Sequence, residues 1–374
     1  MKGGQYLGIR DGAKVDAPWP SESGTYGLYS EPSAGCTSVV EICENSSVTL
    51  NQSVTMYLGL WKDAVARGIL RLNGGSLTVS HGAGLGIGYP DGARGIFELR
   101  GGLFNTDQPF RSFNDASAGV VDWTGGTVKL GPDFFKYAGT SPSVRYFDGN
   151  GKNMSVRIGG PTCVLDLSRA PAFTNVAARA ENEGSWTWTE GGRLTVTNGG
   201  TFVMNRFPTN GCVMVKDCSL EIADDTVPPI GEIGFAGTSA DDRIVGTVDG
   251  LVAQAIRFAR GGLAHPSQVV NIGWSDFAFD DGAFVLVSPA ADGTVTPLAV
   301  PGKVTFDGGA VCLLERNGNR LSAGRGSVLT AAGGIVGDPT FTPAPKTPKG
   351  LSLTVADGSV DYAYEPPGLM VIVR

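Results

Sequence analysis

The chain has 374 residues, a net charge of −7 and only 17% charged residues, with 56 glycines, about twice the usual share of roughly 7%. No run of Lys or Arg offers a face to a phosphate backbone, which argues against nucleic acid as a partner, and no apolar run approaches the roughly 18 residues that a membrane-spanning helix needs. Glycine in excess without every-third spacing, beside abundant Val, Leu, Ile, Thr and Phe, points to many short strands joined by tight turns.

The chain opens "MKGGQYLGIRDGAKV", without the apolar segment of a secretory signal. It reads like the middle of a repeat, because Leu7–Ala13 ("LGIRDGA") echoes Leu85–Ala93 ("LGIGYPDGA"). The expectation is a monomer, or part of a longer exported chain whose upstream portion is missing. Two cysteine pairs are close in sequence, Cys36 with Cys43 and Cys212 with Cys218. Each pair is read either as a local disulfide, which implies an oxidising compartment, or as small apolar core residues, as Cys163 and Cys312 are read.

From residue 58 the sequence repeats itself. "GILRLNGG" (Gly68–Gly75), "GIFELRGG" (Gly95–Gly102) and "GVVDWTGG" (Gly119–Gly126) start 27 and 24 residues apart, and "LGL" at Leu58–Leu60 returns as "LGI" at Leu85–Ile87, again after 27. Before each glycine pair Leu70 and Leu72 match Phe97 and Leu99, Val121 and Trp123, and later Val304 and Phe306. After it Leu77 and Val79 match Val128 and Leu130, Leu194 and Val196, Phe202 and Met204, and Val311 and Leu313. Apolar residues two apart mean strands with one buried face.

The odd step from Leu72 to Leu77 would turn the apolar set outward in a continuous strand, so a corner is expected at each pair: Gly74 and Gly75, Gly101 and Gly102, Gly125 and Gly126, Gly191 and Gly192, Gly308 and Gly309. Strand, glycine corner, strand, glycine-rich corner, strand, closing after 24–27 residues, is one turn of a single-stranded parallel β-helix, the all-β solenoid architecture of pectin-lyase-like proteins.

The repeat region is read as residues 1–337, regular over 58–130 and with insertions over 205–300. Within it Leu251–Ala259 ("LVAQAIRFA") is read as a short helix. Residues 338–350, with four prolines in "DPTFTPAPKTPKG", read as an extended linker, and 351–374 as a C-terminal β cap with a hairpin at Asp357-Gly358.

The glycine-paired strand motif resembles the repeats of bacterial secreted and surface β-helix proteins, especially autotransporter passengers. That resemblance implies an extracellular or cell-surface location and a role as stalk, adhesin or, in some members, polysaccharide-cleaving enzyme. The chain lacks the C-terminal amphipathic barrel strands of true autotransporters.

No catalytic signature is present. The two histidines, His81 and His265, sit in no nucleophile or metal motif, and no cofactor or metal is called for. "NTD" at Asn105–Asp107 resembles the first acidic motif of pectin-hydrolysing enzymes, whose other motifs do not follow in order. Asp224-Asp225, Asp241-Asp242 and Asp280-Asp281 supply adjacent carboxylates, which on a strand face opposite ways and so read as turn residues, with general acid–base catalysis or calcium binding as the alternatives. Trp186 and Trp188 in "WTWT" share one face. Counted from Gly184 they face the bore; counted back from Gly191 they face outward, as a carbohydrate-binding platform. The inward register, with Glu190 as a bulge, matches more of the pattern.

The sequence therefore leads to a non-catalytic extracellular or cell-surface β-helix, a spacer or adhesin whose partner is a polysaccharide or a surface protein. A polysaccharide lyase or glycoside hydrolase of the β-helix type is the alternative.

Overall fold

The computed structural model describes residues 6–17, 26–30, 36–50, 54–58, 67–80, 84–87, 94–107, 110–111, 118–131, 154–169, 186–189, 191–199, 201–204, 207, 211–222, 229–263, 266–315 and 317–367. They wind into a parallel β-helix. The repeated phrases lie directly on one another: Gly68 pairs with Gly95, and Gly95 with Gly119, in parallel register. Leu70, Phe97 and Val121 form one inward column and Leu72, Leu99 and Trp123 the next, all six fully buried. No single coil has a second layer to cover its apolar edge, so each copy is buried only by its neighbours.

In the regular part each coil has three strands. Arg67–Asn73 and Ser76–Val79 belong to the main sheet and flank the glycine corner; Gly84–Ile87 belongs to a second sheet, stacked on Val54–Leu58. The glycine column explains the close stacking at the corner. Gly102 has φ +83°, and a Cβ there would fall 2.0 Å from the Gly75 carbonyl oxygen of the coil below. Gly74, Gly126 and Gly191 also have positive φ, while a Cβ on Gly75, Gly125 or Gly192 would meet a neighbouring carbonyl oxygen at under 3.0 Å. Gly101, Gly308 and Gly309 lie at their corners under looser contact or different backbone geometry. Buried Trp123 turns its indole Nε1 to donate to the Gly126 carbonyl at 3.2 Å, so the corner also satisfies the polar atom of the largest core side chain.

The structure departs from the sequence reading in several places. The coil length is not uniform: the step is 35 residues from Gly119 to Met154, 19 from Leu194 to Val213 and 21 from Ile256 to Phe277. Parallel pairing fixes only the stacked segments, so corners absorb the difference. Leu58 pairs with Ile87, two residues beyond Leu85, because the step at this sheet is 29. Tyr6–Ile9 lies in the main sheet beside Thr37–Cys43, whereas its sequence echo Gly84–Ile87 lies in the second sheet. At the third phrase no break occurs: Ala118–Leu130 is one strand, with a register shift between Trp123 and Gly125 doing the work of the corner.

The segment read as a helix, Leu251–Ala259, holds the strand Val252–Phe258, paired on both sides with Glu232–Phe235 and Gly273–Phe279. Its Ala253, Ala255, Ile256 and Phe258 are buried, and two flanking strands outweigh the helix preference of alanine and glutamine. In Ala310–Leu314 the inward residues are Ala310 and Cys312, with Val311 and Leu313 half-buried on the other face. The segment read as a linker carries a rung: Phe341–Pro343 pairs with Ala310–Cys312, at a sheet edge where Pro343 needs no amide hydrogen. Leu351–Ala356 and Ser359–Tyr364 form a hairpin that docks antiparallel on Gly324–Ala331.

All six cysteines are free. Cys36 and Cys43 are held at opposite ends of one extended stretch, and Cys212 and Cys218 turn their sulfurs to Met214 and to the Val196 carbonyl. The second half of the bore holds an aromatic ladder that the repeat analysis missed. Phe235, Phe258, Phe279 and Phe306 are in register, with ring centroids 6.3, 4.8 and 4.9 Å apart and planes within 23° of parallel. Its signal was phenylalanine recurring at intervals of 23, 21 and 27.

Candidate functional site

In a strand whose odd positions fill the bore, the even positions line the outer face, and parallel register stacks them into columns about 4.8 Å apart. One column of the main sheet runs Glu41, Arg71, Glu98, Asp122, Arg157, Thr187. Arg71 lies between Glu41 at 3.8 Å and Glu98 at 2.6 Å, and Arg157 grips Asp122 with two hydrogen bonds of 3.0 and 2.8 Å. The Tyr6 hydroxyl, the Asn73 amide and Arg71 hold the Glu41 carboxyl below its ordinary range, the Tyr6 hydrogen bond contributing most.

Beyond the corner a second column runs Thr78, Asn105, Lys129, Asp166, Thr197, Lys216. Lys129 pairs with Asp166 at 3.4 Å, and Arg169 donates to Asn105 at 2.6 Å and to Asp107 at 2.5 Å. The "NTD" carboxylate is thus tied to a guanidinium.

A cluster of charged groups lies further along, in a recess of about 720 Å³ lined by Trp188, Arg193, Glu232, Gln254 and Arg257. Arg257 is its centre. It contacts Glu232 and Asp280 at 2.5 Å and Asp307 at 2.9 Å, and Arg193 also donates to Asp280. Burial pulls the Arg257 guanidinium down, but its bonds to Glu232, Asp307 and Asp280 outweigh this and its pKa is raised. The parallel register makes the cluster: Arg257 is flanked by Ala278, so Asp280, two residues on, lies where the guanidinium reaches.

The strand Trp186–Trp188 pairs in parallel with Val156–Ile158, which places Trp188 beside fully buried Ile158 in the inward column. Trp188 itself is half-buried, packs on the core and reaches the edge of the recess, against Gly211. The adjacent carboxylates divide as strand and turn geometry requires. Asp242 is fully buried, with Oδ1 accepting the Cys218 amide hydrogen at 3.0 Å, while Asp241 is exposed; Asp280 meets the two arginines, while Asp281 accepts the Gly309 amide hydrogen at 3.1 Å. His81, His265 and Asp224-Asp225 lie outside the described residues.

Among the described residues no three His, Cys, Asp or Glu side chains come together as metal ligands, and no helix is long and apolar enough to cross a membrane. Burial pushes the thiols of Cys163, Cys212 and Cys218 up to about 12 and that of Cys312 to about 11, far from nucleophilic thiolates at neutral pH. No protein-family model matches the chain, and no curated protein matches its sequence.

Proposed function

We propose that the protein is a non-catalytic β-helix of the cell surface or extracellular space, serving as a rigid spacer that presents a binding face. The observation that carries this reading is the pairing of acid with base along the outer columns: Glu41 and Glu98 with Arg71, Asp122 with Arg157, Asp166 with Lys129, and Glu232, Asp280 and Asp307 with Arg257. Glycosidic hydrolysis needs one carboxyl ready to give a proton and another ready to attack or activate water, at a separation of roughly 5 to 9.5 Å. A carboxylate bonded to a guanidinium is a poor proton donor, because the neighbouring charge favours its ionised form. Such pairs stiffen a surface and leave hydrogen-bonding groups in fixed array. The resemblance to passenger-type surface proteins supports the same location.

The recess beside Trp188 favours a second reading in which the face takes a polysaccharide, either to hold it or to cleave it. An indole edge flanked by guanidinium and amide groups suits sugar hydroxyls. A polysaccharide panel scored both for retention of the protein and for release of soluble sugar ends separates these readings. Retention without release, lost in Trp186→Ala/Trp188→Ala, is the result expected of a carbohydrate-binding face, and retention on none of the panel leaves a spacer or an adhesin for a protein partner. Release of sugar ends would refute the non-catalytic reading.

A further inference from the structure

Successive coils lengthen toward the C-terminal end, and a cavity lies where they do. The coil from Ile256 to Phe277 takes 21 residues, the next, from Phe277 to Val304, takes 27, and the one after, from Val304 to Ile335, takes 31. The longer coils add a third strand, Leu298–Val300 and then Gly324–Ala331, which the shorter coil before them cannot cover. At this step lies a pocket of about 520 Å³ walled by Phe258, Phe277, Phe279, Phe284, Leu298 and Leu329. Ser288, Thr296, Asn317 and Asn319 supply its polar atoms, and none of the described lining residues is charged.

One wall is the loop between Ala283–Val287 and Leu298–Val300, and it is fastened at several points. Pro289 and Val295 bridge across it, the Ala290 amide donates to the Thr294 carbonyl at 2.7 Å, and Asp292 accepts from the Thr294 hydroxyl at 2.7 Å. The next coil pins the loop from outside, Asn317 and Asn319 both donating their side-chain amides to the Pro289 carbonyl at 2.9 Å. The space is therefore held open by covalent length and hydrogen bonds, not left by loose packing. An apolar cavity of even about 150 Å³ takes up benzene, and pockets of roughly 300–1,000 Å³ are the usual size for small-molecule ligands.

We infer that this step in the bore is a binding site for an uncharged, largely apolar small molecule bearing an aromatic ring. The ring lies against the wall that Phe258, Phe277, Phe279 and Phe284 form, where offset and edge-on contacts are available, and any polar group of the ligand meets the remaining polar atoms at the rim. An ionised ligand is disfavoured, since nothing in the described lining would replace its hydration.

The test is a fluorescence titration of the full chain with the neutral probe N-phenyl-naphthylamine, whose emission rises when it leaves water. One site per chain is expected, weakened about tenfold or more by Val295→Trp and by Leu298→Trp, each of which adds bulk to the cavity lining, and unchanged by Val336→Trp, which places the same indole on an exposed position outside the pocket. Melting curves identify variants that fold. Should neither filled variant fold, photolabelling of the unaltered chain with an uncharged aryl azide decides the matter, with label expected in peptides covering 284–298 or 317–329. Absence of probe binding, undiminished binding in folded filled variants, or label confined to other segments would overturn the assignment.

Discussion

A glycine pair is a two-residue word whose members do different work. Gly102 needs both its positive φ and its missing side chain, since a Cβ would overlap the Gly75 carbonyl, whereas a Cβ on Gly101 would meet nothing closer than 3.5 Å. Gly102→Ala should therefore destabilise the protein by about 1–3 kcal/mol or more, and Gly101→Ala should change it little, as denaturant melts of the two variants will read. Asp242 is the opposite kind of residue, one whose charge works against the fold. Burial raises its pKa, with the Cys218 amide bond opposing and Asp217 and Asp241 adding repulsion. A carboxyl whose folded pKa is raised contributes stability below its unfolded pKa of about 3.9 and loses it as pH rises through the folded value. Asp242→Asn, which keeps an acceptor for Cys218, should thus raise the melting temperature at neutral pH, with the gain vanishing below about pH 4.

At the scale of the strand, burial on one face and pairing on both edges decide what the residues become. Val252–Phe258 contains alanines and a glutamine that favour a helix, yet its two neighbours offer a full ladder of hydrogen bonds and an inward column that already holds Phe235 and Phe279. Pairing of that kind is invisible to a window of nine residues. By contrast Leu99 could be placed from sequence, because the same eight-residue phrase recurs before and after it. Leu99→Asp would set a charge between Leu72 and Trp123 in a column with no exposure to water, and should abolish the cooperative melt or bring it below physiological temperature. An unchanged melt would refute the register.

At the scale of the molecule, thirteen rungs of the main sheet can be followed among the described residues, from Tyr6–Ile9 to Ile335–Val336, which at about 4.8 Å each is a rod of roughly 60 Å. Its two halves are filled differently, with mainly aliphatic columns around Phe97, Phe104 and Trp123 first and a ladder of stacked phenylalanines later. The docked hairpin adds antiparallel strands beside the last long coils. Cys163, Cys212, Cys218 and Cys312 are spaced along this rod with thiols raised by burial, while Cys36 and Cys43 are half-buried. A thiol reagent at pH 8 should label Cys36 and Cys43 first and leave the other four until unfolding. Mapping the labelled peptides through a denaturant series then shows whether the rod opens from one end or all at once, since each coil contacts only its neighbours.

The sequence by itself determined the architecture, the inward columns around the glycine pairs of the three phrases, the register of those phrases and the terminal hairpin turn, because those features are local and repeat; at Gly308-Gly309 it set Val311 and Leu313 inward where the structure has Ala310 and Cys312. It favoured the inward register of Trp186 and Trp188 over the outward one, and the pairing with Val156–Ile158 sets Trp188 beside inward Ile158. Arg257 among three carboxylates, the 19-to-37-residue spread of coil lengths and the cavity where the coils lengthen belong to the tertiary structure alone. Parallel stacking brings together residues twenty to ninety apart in sequence, and where coils change length no fixed period tells which residue will lie above which.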